Sequence, residues 1–170
     1  MNIFLVITGS PGTAVSKRAI DVLSENHSLI VSSTEQGKRA FFEECGIELY
    51  DFLRRKQRVV KYSDKTLDTI DSMLVLPCSA GFVGKLAAGC IDDDALFAAD
   101  HILATKKKIV LALGEPVLSA VTLKNLQNLA TLGACVCPIT SNFSDLDTLE
   151  KRSDAVLSQL LKFCDIKTLI

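Results

Sequence analysis

No surplus of either charge marks this sequence. Its 170 residues hold 19 Lys and Arg against 20 Asp and Glu, so no overall field draws nucleic acid or an anionic membrane. Proline and glycine are scarce, at four and nine, and 48% hydrophobic residues against 23% charged exclude a disordered or fibrous chain. No apolar run is long enough to span a bilayer, and the opening MNIFLVITG has no basic stretch ahead of its apolar one. It reads as a buried first strand rather than a signal segment. Without an export signal, the six cysteines are expected to stay thiols in a reducing cytoplasm, with no structural disulfide. They form no CxxC pair, and His27 and His101 stand apart from them in sequence, which argues against zinc. Cys135 and Cys137 would share one face of a strand, where a thiol packs as a small apolar group.

What is present is alternation. Short runs rich in Val, Ile and Leu trade places with longer stretches of helical period, the pattern of βα units on a parallel sheet. Strands are expected at Ile3–Ile7, Ser28–Ser32, within RVVKY between Arg54 and Ser63, at Ser72–Pro77, Ile109–Leu113 and Ala134–Pro138. Helices are expected from about Val15 to Leu23, Thr34 to Cys45, Asp92 to Thr105, Glu115 to Leu132 and Leu146 to Phe163. The three Asp at 92–94 suit the positive end of a helix dipole, and Lys106, Lys107 and Lys108 read as a solvated turn. No repeat or linker interrupts the chain, so residues 1–170 are expected to form one domain of three-layer, Rossmann-like α/β architecture. About six strands would make a doubly wound parallel sheet, flavodoxin-like in its layering.

Ligands of such sheets sit at the carboxyl ends of strands, where helix-starting N–H groups face outward. Three loops fit that place: Gly9-Ser10-Pro11-Gly12-Thr13, Ser32-Ser33-Thr34, and Pro77-Cys78-Ser79-Ala80-Gly81. Small polar residues are also ordinary turn formers and N-caps, but three such loops at strand ends reinforce one another. The first loop reads GSPG rather than GxGxxG, and the second strand ends in Ser rather than an acid. That combination favours a mononucleotide such as FMN over NAD, and no GK[ST] follows to make a P-loop.

The segment PCSAGFVGKLAAGCIDDDALFAAD, Pro77 to Asp100, resembles the flavin-binding segment of the UbiX-like flavin prenyltransferases, approximately PCSxxTLxKIAxGxxDNLLxRAAD. That family also has GxTGASGA, PRExP, HLENM and GAVILP segments, matched by Val6–Thr13, Leu113-Gly114-Glu115-Pro116, Thr122–Leu126 and Gly133–Pro138. The resemblance covers nearly the whole chain. It implies an FMN site lined by Gly9, Ser10, Pro11, Gly12, Ser32, Pro77, Cys78, Ser79, Ala80, Gly81 and Lys85, with Glu115 as the acid near the reacting centre. It implies transfer of a prenyl group from dimethylallyl phosphate to reduced FMN, a UbiD-like decarboxylase receiving the product, and a homo-oligomer, trimeric or dodecameric.

The departures concern phosphate. The family's RAAD arginine falls on Phe97, the lysine of its LKERRP on Ala104 and the arginine of its PRExP on Gly114. Its PxFY tyrosine falls on Ser144, beside Phe143, its C-terminal helix arginine on Ala155, and the serine of GASG on Pro11. Charge-assisted hydrogen bonds are worth about 1.5–3 kcal/mol each, so three missing ones remove roughly 5–9 kcal/mol, or 10³–10⁶-fold in affinity. Restoring Arg at Phe97 and Gly114 is expected to strengthen prenyl-phosphate binding. Two other readings remain: a noncatalytic flavin binder, or a flavin decarboxylase or oxidoreductase. The related cysteine decarboxylases use a histidine whose place holds Ser63 here, so that branch lacks its base.

Overall fold

The computed structural model describes residues 1–56, 58–60, 62–114, 117–139 and 149–164. In chain order the elements are β1 (Asn2–Ile7), α1 (Thr13–Asn26), β2 (Ser28–Ser33), α2 (Glu35–Cys45), α3 (Leu49–Leu53), β3 (Val59–Val60) and α4 (Asp64–Leu67). There follow β4 (Ser72–Cys78), α5 (Ala80–Ala87), α6 (Asp94–Ala104), β5 (Lys108–Leu113), α7 (Ala120–Thr131), β6 (Cys135–Pro138) and α8 (Leu149–Cys164).

All neighbouring strands pair in parallel, in the order β3-β2-β1-β4-β5-β6. Because β3 is only two residues long, five strands carry the sheet and the sixth is a stub at its edge. Counting the stub gives the strand order of dinucleotide-binding folds, and omitting it leaves that of flavodoxin. Either way the winding reverses between β1 and β4.

Every residue of β4 is buried, as an interior parallel strand covered on both faces requires. Side chains still alternate between two cores. Ile3, Leu5, Ile7, Leu74 and Leu76 join α1, α2, α3 and α8 on one face. Phe4, Val6, Met73 and Val75 join α5, α6 and α7 on the other. Cys135 and Cys137 pack half-buried against the first core, and burial raises the Cys137 thiol pKa.

Helix starts follow their caps. The α7 helix begins at Ala120 rather than near Glu115, because the Ser119 Oγ accepts the Thr122 N–H at 3.1 Å. In the acidic run it is Asp93 that caps α6, accepting the Leu96 N–H at 2.8 Å. The short helices α3 and α4 were not expected, since four or five residues cannot display a helical period. Among the described residues, no helix is long and apolar enough to cross a membrane, and no group of three His, Cys, Asp or Glu is placed to hold a metal ion.

Candidate functional site

Thr8, the first residue past β1, joins two strand ends. Its Oγ1 donates to the Pro77 carbonyl at 2.8 Å and accepts the Ser79 N–H at 2.8 Å, all at full burial of Thr8. The loops after β1 and β4 are thereby held side by side at the winding reversal. Gly9 brings α2 close as well: a Cβ there would stand 2.3 Å from the Gln36 Cβ. Within α2, a Cβ on Gly37 would stand 2.2 Å from the Ile7 carbonyl oxygen. Two missing side chains thus let the second loop close on the first.

The result is a cavity of about 980 Å³ over the carboxyl ends of β1, β2 and β4. Its floor is Gly9 with Val31, Ser32, Ser33 and Thr34; one wall is Glu48, Leu49, Tyr50 and Leu53 around α3. The opposite wall comes from Ser79, Gly81, Phe82 and Lys85, and from Asp92 through Leu96 at the head of α6. Such a volume lies at the upper end of small-molecule sites. Thr34 caps α2 by accepting the Gly37 N–H at 3.0 Å, and Ser79 caps α5 by accepting the Phe82 N–H at 3.2 Å. Ser32 and Ser33, which also line the cavity, cap no helix.

The charge on the lining is lopsided: Glu35, Glu48, Asp92, Asp93 and Asp94 against Lys38 and Lys85. Both lysines are engaged, Lys38 with Glu35 and Lys85 Nζ with Asp92 Oδ2 at 2.6 Å. The hydrogen bond that Lys85 donates to Asp92 raises the ammonium pKa above its ordinary value.

Of the residues named from sequence, Gly9, Ser32, Ser79, Gly81 and Lys85 line the cavity. Ser10, Pro11, Gly12, Pro77, Cys78 and Ala80 are not among its lining residues. Ser10 is 2% exposed with no hydrogen-bond partner for its Oγ, and the buried Pro77 presents its carbonyl to Thr8. Cys78 is fully buried. Gly12, at φ 106°, stands at the N-cap of α1. Glu115, Phe143 and Ser144 lie outside the described residues.

Neither Phe97, Ala104, Gly114 nor Ala155 lines the cavity. Ala104 ends α6, whose head is at the cavity, so it lies a helix length away, about 16 Å. Lys108 starts β5 opposite Ser72, the start of β4, which puts the lysine triplet at the amino ends of the strands, away from the cavity. Gly114 has no room for a side chain, since a Cβ would meet the Pro11 carbonyl oxygen at 2.4 Å and the Ser10 Oγ at 2.7 Å. Ser63, in the place of the decarboxylase histidine, caps α4. Residues missed from sequence are Thr8, Gln36, Gly37 and the α3 wall. Only Gly37 carried a signal, as a glycine inside a helical stretch that normally has a packing reason.

The chain is similar to known proteins along its length. Flavin prenyltransferase UbiX of Campylobacter jejuni is 24% identical, over 98% of this chain and 95% of that protein. The structure of AnUbiX in complex with FMN and dimethylallyl pyrophosphate matches with a TM-score of 0.86 at 20% identity, over 96% of this chain and 92% of the other. The dodecameric FMN-dependent UbiX-like decarboxylase of Escherichia coli O157:H7 matches with a TM-score of 0.88 at 22% identity, covering 99% and 97%. The family model described as Flavoprotein matches residues 1–163. This chain therefore belongs to the Flavoprotein family.

Proposed function

We propose that the chain is a single domain, residues 1–170, that binds FMN in the cavity over β1, β2 and β4 and acts as a UbiX-like flavin prenyltransferase. The observation that carries this reading is the floor: backbone held by Thr8, the close approach of α2 that Gly9 permits, and the hydroxyls of Ser32 and Ser33 just before α2. The shape of the cavity and the polar floor suit FMN, while the acidic lining opposes its phosphate. Hydroxyls and the N-terminal turn of α2 suit a monophosphate, while Leu49, Leu53, Phe82 and Leu96 offer apolar surface for a flavin ring. Gly81 leaves the start of α5 open to the cavity.

Reduced FMN, when bound, supplies the nucleophilic ring atoms that take the prenyl carbon. The chain's own task is to hold and orient that ring, exclude water, and place an acid, for which Glu115 is the proposed residue. It grips the prenyl phosphate weakly. The positions that would carry the family's cations are Phe97, Ala104, Gly114 and Ala155, and the lysine triplet lies at the opposite, amino end of the strands. The same loss supports the second reading, a flavin-binding protein without turnover. The decarboxylase reading has no such support, with Ser63 serving as a helix cap.

A homo-oligomer, trimer or dodecamer, a cytoplasmic location, and a UbiD-like decarboxylase as recipient of the prenylated flavin complete the proposal. Nucleic acid and membrane are not proposed partners. The test is an absorbance spectrum and native mass of the purified protein, then anaerobic incubation with reduced FMN and dimethylallyl phosphate. A yellow FMN-loaded oligomer that slowly forms a prenylated flavin is expected. FMN binding without product leaves the noncatalytic reading, and no FMN binding at all ends both.

A further inference from the structure

We infer that Tyr50 is a ligand-binding residue of the cavity: its ring lies against the plane of the bound flavin and positions it. The inference rests on the FMN reading and deepens it. Tyr50 lines the cavity and, at 72% exposure, is the most exposed aromatic ring among the described residues. Phe82, the other ring of the lining, is turned into the second core at 4% exposure. Among the lining residues, Tyr50 alone has an open aromatic face to give a ligand.

The way α3 is anchored explains that exposure. Its buried residues Leu49 and Phe52 fix it to the first core, where the Phe52 ring lies 5.8 Å from that of Phe41. With that side held, Tyr50 stands clear of the core at the cavity wall. Four residues on, Arg54 brings its guanidinium carbon to 5.7 Å from the centre of the Tyr50 ring, within the range of a cation–π contact. The contact steadies the ring, so stacking a ligand on it costs little further rotamer freedom. A flat conjugated ligand gains more from such a face than from the neighbouring leucines.

A tyrosine also leaves a signature that leucine does not. In contact with photoexcited oxidised flavin, a phenol donates an electron and quenches the emission. The electron returns in the dark, so nothing is consumed. The chain has two tyrosines and no tryptophan. The other tyrosine, Tyr62, stacks on Phe4 at 5.4 Å beside the second core and is not a lining residue. Quenching of bound FMN therefore reports on Tyr50.

The experiment measures FMN affinity by equilibrium dialysis and the emission of bound oxidised FMN in the full chain, Tyr50→Phe, Tyr50→Ala and Tyr62→Phe. Unmodified protein and Tyr62→Phe should hold FMN with its emission strongly quenched. Tyr50→Phe should bind within about twofold yet recover the emission. Tyr50→Ala should bind about tenfold more weakly. Bright FMN on the unmodified chain, or FMN still quenched in Tyr50→Phe, overturns the inference. So does affinity in Tyr50→Ala unchanged within about twofold. Those results leave the FMN reading standing, whereas a chain that takes up no FMN ends that reading and the role of Tyr50 together. Thermal melting checks that each variant folds, and Tyr50→Phe, which keeps the ring, carries the emission test by itself.

Discussion

At the scale of single residues, the site depends on groups that never touch the cavity. Thr8 is fully buried and gives its one hydroxyl to two backbone partners. Thr8→Val keeps the branched shape but strands the Ser79 N–H, so urea unfolding should show a loss of about 1–3 kcal/mol. Thr8→Ser should recover most of it. FMN affinity should drop with the Val variant, as the loops after β1 and β4 lose their tie. Gly114 corrects the expectation that restored arginines help. With the Pro11 carbonyl oxygen 2.4 Å from its Cβ position, Gly114→Arg should lower the melting temperature and gain no prenyl-phosphate binding. Phe97, 49% exposed on α6, accepts Arg without such a clash. Among Cys45, Cys78, Cys90, Cys135 and Cys137 the structure gives an order of reactivity checkable by labelling and mass spectrometry: exposed Cys90 first, fully buried Cys78 last. Burial raises the thiol pKa of Cys45 and Cys137, keeping them protonated and slow. Their neutral forms favour the fold below the unfolded-state pKa near 9.0. That contribution is lost as pH rises through the raised native values.

At the scale of elements, β-strands were readable because burial on both faces leaves an uninterrupted apolar run, as in SMLVLPC. Helix starts were less so. PVLSAVTLKNL has an apolar period from its first residue, but Ser119 offers an oxygen to Thr122 and fixes the start there. The three loops were legible as strand ends, while their division into lining and framework was not. Ser32 and Ser10 look alike in sequence, and only the closure of α2 over Gly9 separates them. The Lys85–Asp92 pair joins α5 to the approach of α6 along one wall of the cavity. Each side chain is 48% exposed, so breaking the pair should scarcely change stability. Asp92→Asn should instead free the ammonium for a ligand phosphate and tighten dimethylallyl phosphate binding at low salt. That gain should vanish near 1 M salt, where the Debye length is about 3 Å. Titrations at the two salt concentrations check it.

At the scale of the whole molecule, the winding reversal between β1 and β4 gathers residues more than 80 positions apart into one hollow, from Gly9 to Asp94. The alternation of strands and helices was enough to anticipate that gathering. It could not show that α6 carries Ala104 and the following lysines to the amino ends of the strands, because sequence proximity says nothing about which end of a helix faces the ligand. A ligand seated in the hollow touches β1, β2, α3, α5 and α6 together, so its binding free energy should stabilise the fold as a unit. For a ligand that binds only the native state, a concentration of 100 Kd adds about 2.7 kcal/mol. In a domain near 170 residues each kcal/mol moves the melting temperature by about 2–4 °C, giving an expected rise of about 5–11 °C. Differential scanning fluorimetry or calorimetry with FMN should show that rise. Riboflavin, which lacks the phosphate, should give much less, since the hydroxyls of Ser32 and Ser33 and the first turn of α2 then have no anion to hold. Equal shifts from the two would move the flavin's phosphate away from the end of β2 and out of the arrangement proposed for it.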